Sequence, residues 1–247
     1  MLTLAEEFLL LALDDTTGRP IVDSTRLHAA IAGAALVDLT LQGSLEVAEH
    51  DTDVRRGRFR RTGQADLHDP LLAQILEDAH GRKPKDAVSR VSGQSSFRNQ
   101  AGRLKDLLLA RLAEQGVLRP EPARILGIFP TTAWKPHTPE VEGAIRDRVR
   151  AALVAPAPDP RPVTDAPPAP ADLLDPRTAA LVSLLAATDL THRVVPDLDK
   201  RAVRRRAKEI AAAGWAGPAV KRVLDDTTAA MTAIIASTAA AGAAAGS

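Results

Sequence analysis

The stretch TLAEEFLLLAL, residues 3–13, decides the fold class of this 247-residue chain. Thr3 stands three residues before Glu6, the spacing of a capping box, so a helix is expected to begin after Thr3. From Phe8 to Leu13 every residue is apolar, on all sides of that helix. A helix without a polar face must be buried among other elements, which predicts a multi-helix core.

The composition of the whole chain also favours helices. It contains 46 Ala and 31 Leu, but only four Phe, two Trp and no Tyr. Ala and Leu are strong helix formers, whereas the strands of sandwiches and barrels favour aromatic and β-branched residues. The sequence therefore predicts a mainly α fold: a compact multi-helix domain with one or two short β-hairpins.

Cap and stop residues place further helices along the chain. Residues 44–63 are expected to form an arginine-rich hairpin, and residues 117–138 a second hairpin or an extended loop. A Pro-rich loop over 155–170 is placed inside a single domain of residues 1–238, followed by an Ala/Gly-rich flexible tail at 239–247. The further helices are expected at about residues 23–42, 69–80, 86–91, 95–115, 138–154, 176–188, 197–213 and 217–237.

Several classes of protein are excluded by missing residues and motifs. Cysteine is absent, which excludes disulfide scaffolds, zinc–cysteine modules and cysteine nucleophiles. No secretory signal peptide or membrane-spanning stretch is visible, so a cytoplasmic protein is expected. Nucleotide-binding, metalloprotease and serine-hydrolase motifs are missing too. We therefore expect neither an enzyme nor a cofactor or metal.

An acidic pair and an arginine run leave other functions open. Asp14 and Asp15 could hold Mg²⁺ in an enzyme of phosphate esters or isoprenoids, although a solvated turn after the first helix is the simpler interpretation. Five Arg lie within residues 55–61 and could contact nucleic acid, although such a run is usually a solvated strand face. Because no known motif or aromatic platform accompanies the run, nucleic acid is not expected as a partner.

The segment of residues 124–135 combines apolar and basic side chains. Trp is favoured at a lipid interface, and cations there meet anionic headgroups, so this segment is a candidate membrane-inserting hairpin. The alternative is that Ile128 and Phe129 pack inward as ordinary hairpin core. The candidates for insertion are Ile125, Leu126, Ile128, Phe129 and Trp134.

Three segments together resemble the Golgi phosphoprotein 3-like family. They are residues 2–18, 36–45 and 104–118, and the resemblance runs over roughly residues 2–235 with compatible spacing. It implies a single mostly helical domain with small hairpins, here in a bacterial member. In eukaryotic members it implies a peripheral membrane adaptor that binds phosphatidylinositol 4-phosphate, retains glycosyltransferases in the Golgi and inserts a hydrophobic hairpin into the bilayer.

The resemblance also implies a headgroup site between the second helix and the helix before the hairpin. The family's Trp and first Arg correspond to Asp23 and Ala32, and its other two Arg correspond to Gly102 and Lys105. Lys105 therefore keeps a cation, and arginines nearby in the sequence are candidates to replace the others. The candidate headgroup residues are Lys105, Arg103, Arg98, Arg19 and Arg26.

Together these features predict a peripheral membrane protein at the inner face of the membrane. It would bind a phosphoinositide-like or other anionic lipid through a basic patch and insert the hairpin. The alternative is a soluble protein-interaction or accessory module for a biosynthetic enzyme, without headgroup recognition. A protein partner and a homo-oligomer both stay open.

Overall fold

The computed structural model describes residues 1–63, 69–93, 101–125, 128–155, 174–213 and 218–244. Within these ranges helices dominate, as predicted, and the sheets are two antiparallel hairpins. The helices are α1 (Leu4–Leu11), α2 (Ser24–Leu41), α3 (Pro70–Ala79), α4 (Pro84–Val91), α5 (Ala101–Glu114), α6 (Pro139–Val154), α7 (Pro176–Ala187), α8 (Thr191–Val194), α9 (Lys200–Ala212) and α10 (Pro218–Ala244). The strands are β1 (Leu45–Val47), β2 (Phe59–Arg61), β3 (Leu118–Ile125) and β4 (Phe129–Pro136).

Helix α1 lies inside the core, as its sequence indicates. Its capping box is formed in both directions. The Glu6 N–H donates to Thr3 Oγ1 at 3.2 Å, and the Thr3 N–H donates to Glu6 Oε2 at 2.7 Å. Every residue of α1 is buried, because α2, α5, α6 and α7 pack around it. The prediction of a helix buried on all sides is confirmed.

Helix α2 is the second buried helix and packs between the first and the last helix of the chain. It packs against both α1 and the long α10. A Cβ on Gly33 would lie 2.5 Å from Met231 Sδ and 2.9 Å from Thr227 Cγ2, so the contact with α10 requires glycine or a shifted neighbour. Small residues on α2 thus let helix backbones approach closely, which allows a dense core with few aromatic side chains.

Carboxylates of α1 and α2 are buried in this core and paired with arginines. Glu7 lies 2.5 Å from Arg148 of α6 and 3.3 Å from Arg177 of α7. Arg177 also pairs with Asp38 of α2 at 2.7 Å. Burial raises the pKa of Asp38, and the charge of Arg177 opposes that shift. Because a buried charge is costly without a partner, these pairs fix how the four helices sit together.

The β1–β2 hairpin is docked on the helical body. Its register pairs Val47 with Phe59. Phe59 is fully buried, and its N–H donates to the Arg82 carbonyl oxygen, in the turn between α3 and α4, at 2.8 Å. The arginine-rich hairpin predicted within residues 44–63 is thus present and belongs to the core.

Three boundaries differ from the sequence expectation. Helix α4 begins at Pro84 rather than near residue 86, since proline is favoured in a first helical turn. The four-residue α8 has no counterpart among the expected helices, because a single turn carries no periodic signal. The backbone of α10 continues to Ala244, past residue 239 where the tail was expected to begin, in keeping with the helix preference of its alanines.

Some sequence expectations fall outside the described residues. These include most of the Pro-rich segment 155–170 and the first residues of the helix expected at 95–115. Among the helices that the structure does describe, none is long and apolar enough to cross a membrane.

Candidate functional site

The β3–β4 hairpin extends away from the helices and is the centre of the candidate site. Its register runs from Leu118 opposite Pro136 at the base to Ile125 opposite Phe129 at the tip. Ile128, in the turn between the strands, is 70% exposed. The predicted second hairpin is therefore formed, with an apolar residue at its tip. Further exposed side chains along its outer half are those of Pro122, Arg124, Pro130 and Thr132.

The prolines of this hairpin occupy outward-facing positions. The Trp134 N–H points away from β3 and donates to the Gly18 carbonyl oxygen at 2.9 Å. Backbone N–H directions alternate along an antiparallel strand, so every second position on β4, and its partner on β3, also faces outward. Four such positions hold proline, which has no N–H, so the bonds between the strands are not disturbed. These prolines are Pro120, Pro122, Pro130 and Pro136.

The loop of residues 14–20 supports the base of the hairpin. Gly18 has a φ of +63°, and a Cβ there would lie 2.6 Å from the Trp134 backbone nitrogen. Lys135 Nζ donates to the Thr16 carbonyl oxygen from the same strand. The loop and β4 therefore touch backbone to backbone, and only glycine fits at the contact.

The Asp14–Asp15 pair lies in a turn after α1, which agrees with the simpler of its two interpretations. Asp14 Oδ1 accepts from the backbone N–H groups of Thr17 at 2.6 Å and Thr16 at 3.1 Å. These bonds, led by the one from Thr17, lower the pKa of the Asp14 carboxyl. Asp15 Oδ2 lies 3.5 Å from Arg146 Nη2. In the described part of the chain, no group of three or more His, Asp or Glu is placed to hold a metal ion.

Two arginines lie beside the outer half of the hairpin. Arg19 Nη2 donates to the Arg124 carbonyl oxygen at 2.9 Å. Arg124 is opposite Pro130, one pair from the tip, so Arg19 reaches that level from the supporting loop. Across the described ranges, neither guanidinium has a carboxylate partner. The tip thus combines the exposed Ile128 with two uncompensated positive charges.

Trp134 does not belong to the tip. It is half-buried, packs against the hydrophobic core and pairs with Pro120, five residue pairs below the tip. At about 3.4 Å per residue it lies about 17 Å from Phe129 along the strand. Its expected role in membrane insertion is not supported, because the Trp134 side chain faces the body of the protein. Ile125 and Phe129 form the last strand pair, and Leu126 lies outside the described residues.

Two of the candidate headgroup cations, on α5 and α2, are each paired with a neighbouring carboxylate. Lys105 pairs with Asp106 at 3.3 Å and lies near His28 of α2, whose pKa is lowered first by burial and then by Lys105. Arg26 pairs with Asp23 at 3.2 Å.

Arg103 follows the other side of α5. It is two positions, or about 200° around the helix, from Lys105, and it lines a groove with Asp78 and Arg90. Arg19 is at the hairpin, and Arg98 lies outside the described residues. The structure therefore places Arg19 beside the tip, Lys105 and Arg26 in ion pairs with neighbouring carboxylates, and Arg103 in a separate groove.

The arginine run on the first hairpin is largely paired within the protein. Arg60 pairs with Glu46 across the hairpin, and Arg61 pairs with Glu77 of α3. Arg58 donates to the Gly81 carbonyl oxygen at 2.6 Å. The interpretation as a strand face rather than a nucleic-acid site agrees with these contacts.

A cavity of about 510 Å³ lies beside the supporting loop. The sequence did not predict it. It is formed by the end of α1, the supporting loop, α6, and the region from Asp189 to the start of α9. Close to it, burial and the carboxylate of Asp15 raise the pKa of Glu142 to about 7, against the charge of Arg146. No local motif could reveal this cavity, since its residues come from three segments that are distant in the sequence.

The comparison with family models agrees with the fold described above. A family model described as Golgi phosphoprotein 3 (GPP34) matches residues 4–227, from the first residue of α1 into α10. No curated protein matches the sequence. The match includes the supporting loop, the projecting hairpin and the cavity.

Proposed function

The chain belongs to the Golgi phosphoprotein 3 (GPP34) family, and we propose that it is a peripheral membrane protein that binds anionic lipid through the tip of the β3–β4 hairpin. It acts by binding and not by catalysis. The observation that carries this proposal is the exposed Ile128 at the tip, with the uncompensated cations Arg19 and Arg124 one residue pair below it.

The tip supplies an apolar side chain and cations, and both favour binding at an anionic lipid interface. Burying an Ile side chain is favourable by about 1.5–3 kcal/mol. Each cation near an anionic surface adds about 1 kcal/mol. Arg19 and Arg124 lie beside the tip, so they can stay at headgroup level while Ile128 enters the interface.

The support of the hairpin suits this role. Gly18 and Thr16 hold the base of β4, so the hairpin is attached to the body by backbone contacts and not by its own turn alone. A tip held in place loses little conformational entropy on insertion, which favours binding.

Vesicle flotation with matched apolar variants tests the insertion. Ile128→Ser should weaken binding to vesicles with anionic lipid about tenfold. Val154→Ser is the matched control, because Val154 at the end of α6 is also exposed, by 59%, but lies away from the hairpin. Equal binding by wild type and Ile128→Ser would exclude insertion of the tip.

Lipid selectivity is the second measurement. Lys105 and Arg26 are each paired with a carboxylate, so we propose that binding follows surface charge rather than one headgroup. Vesicles with phosphatidylinositol 4-phosphate and vesicles with phosphatidylserine, matched in total charge, should bind the protein equally. A strong preference for the phosphoinositide at equal charge would restore a specific headgroup site.

A further inference from the structure

The cavity beside the supporting loop has an uneven distribution of available charge. Three carboxylates line it, and all three are engaged. Asp14 accepts two backbone N–H bonds, Asp15 lies 3.5 Å from Arg146, and Asp189 lies 2.7 Å from Arg204. Arg146 also donates to Glu142 and to the Val194 carbonyl oxygen. Asp15 and Asp189 are therefore paired with arginines, whereas Asp14 keeps its negative charge because backbone N–H groups do not cancel it.

Two other cations on the wall of the cavity are exposed and lack such partners. Arg193 in α8 and Lys200 at the start of α9 both line the cavity. Neither has a carboxylate within ion-pair distance among the residues that the structure describes. Arg193 and Lys200 can therefore attract an anion, against one remaining negative charge on Asp14.

A histidine adds a neutral donor to the same wall. His192 lines the cavity, and its Nδ1 is enclosed without a hydrogen-bond partner in the described part of the chain. An enclosed N–H without an acceptor is costlier than an enclosed lone pair, so a neutral ring is expected to carry its proton on Nε2. That proton is then a donor for a bound oxyanion.

Another part of the lining, here called the apolar wall, is hydrophobic. It is formed by Leu11 and Leu13 at the end of α1, together with Ile21 and Pro196. A volume of about 510 Å³ lies in the range of small-molecule sites, which combine apolar walls with a few convergent polar groups. A ligand with an anionic head and a small carbon skeleton fits this arrangement.

We propose that this cavity binds a small phosphate ester, with Arg193, Lys200 and His192 on the phosphate and the apolar wall against the carbon skeleton. Phosphate fits better than a carboxylate because its charge of nearly two units matches the two free cations, and its oxygens accept from several donors. The site is separate from the hairpin tip and goes beyond the lipid contact proposed above.

Calorimetric titration with inorganic phosphate and n-butyl phosphate tests the site. Both should bind saturably, and n-butyl phosphate should bind several-fold more tightly because of the apolar wall. The double variant Arg193→Gln/Lys200→Gln should lose at least tenfold in affinity for n-butyl phosphate. The matched control Arg205→Gln/Lys208→Gln removes the same charge from α9 outside the cavity lining and should change affinity less than twofold. Absence of saturable binding, or equal losses in the two double variants, would overturn the proposal.

A vesicle arm identifies the source of the phosphate ester. If the ester is a lipid headgroup, Arg193→Gln/Lys200→Gln should lose binding to vesicles with phosphatidic acid but not to vesicles with phosphatidylserine of equal charge. If it is a free small molecule, vesicle binding should stay unchanged while n-butyl phosphate binding is lost. Either result supports the anion site. Ile128→Ser should keep its affinity for n-butyl phosphate, so failure of the hairpin proposal and failure of the cavity proposal are distinguishable.

Discussion

The two hairpins of this protein are both rich in cations, but only the second is shown to carry unpaired cations beside an exposed apolar residue at its tip. In the β1–β2 hairpin, Arg60 and Arg61 are paired with glutamates, and Phe59 is buried against the body. In the β3–β4 hairpin, the adjoining Arg19 donates to the Arg124 carbonyl oxygen, and neither guanidinium has a carboxylate partner among the described residues. Arg55 and Arg56 in the turn of the first hairpin are also exposed and have no ion pair among the described residues, but they lie close in sequence to the exposed Glu49, Asp51 and Asp53. The difference teaches that the number of cations in a segment does not indicate a binding surface; the acidic and apolar groups around them matter as well.

The largest expected effect tests whether the hairpins differ in their contribution to stability. Phe59→Ala should lower the free energy of unfolding by about 3–5 kcal/mol, because Phe59 is fully buried. Ile128→Ala should change it by less than about 0.5 kcal/mol, since the side chain is exposed. Urea denaturation followed by circular dichroism measures both. Similar losses would mean that the second hairpin is as much a part of the core as the first.

Glycine variants separate attachment from local strain. Gly18→Ala should cost about 2–3 kcal/mol, because it combines a positive φ with a Cβ 2.6 Å from the backbone of Trp134. Gly57→Ala in the first hairpin also has a positive φ, of +79°, but its Cβ would meet nothing within 4 Å. It should therefore cost only about 1 kcal/mol. Equal unfolding free energies for the two variants would show that the loop does not hold β4 tightly.

Charge variants test whether vesicle binding depends on the cations beside the tip of the second hairpin. Arg19→Gln/Arg124→Gln should weaken binding to anionic vesicles about 30-fold, since each cation contributes about 1 kcal/mol. Arg55→Gln/Arg56→Gln removes the same charge from the exposed turn of the first hairpin and should change binding less than twofold. Flotation at about 0.1 M salt measures both. Matching losses would indicate that total charge, and not the second hairpin, drives binding.

The smallest expected effect is a pH dependence of stability, which arises from Glu142 beside the loop that supports the second hairpin. Burial and Asp15 raise the pKa of Glu142 from 4.5 to about 7. The folded state therefore holds an extra proton between these values, and the associated stability is lost as the pH rises through about 7.

Glu142→Gln should remove this loss. Relative to wild type, the variant should gain on the order of 1–2 kcal/mol in unfolding free energy between pH 5 and pH 8. Glu140→Gln, on the exposed side of the same helix, is the control and should follow wild type. A constant difference between Glu142→Gln and wild type across this range would argue against a raised pKa.

Local signals in the sequence were enough to predict most of the fold. The Thr3–Glu6 capping box and the apolar run after it predicted α1 correctly, because both depend on residues within two helical turns. Helix starts at Asp23, Asp69 and Asp175 are equally local, since each carboxylate caps its own helix. The one-turn α8 carries no such signal and was missed.

The candidate site was less predictable because it depends on contacts between distant residues. Phe129 and Trp134 are neighbours in the sequence, yet the extended strand separates them, and Trp134 turns to the core. The partner of Arg61 is Glu77, and the partner of Asp15 is Arg146, 131 positions away. No spacing rule reveals which charges remain after such pairing.

The outward prolines of the second hairpin have a consequence for crowding. A hairpin that stands out from a helical body would normally offer its edges as templates for a strand from another molecule. With proline at four outward positions and the Trp134 N–H already engaged, few donors remain on these edges. Many copies can then gather at high local density without their hairpins pairing into an intermolecular sheet. A partner protein has to recognise the side chains of the hairpin instead of its backbone.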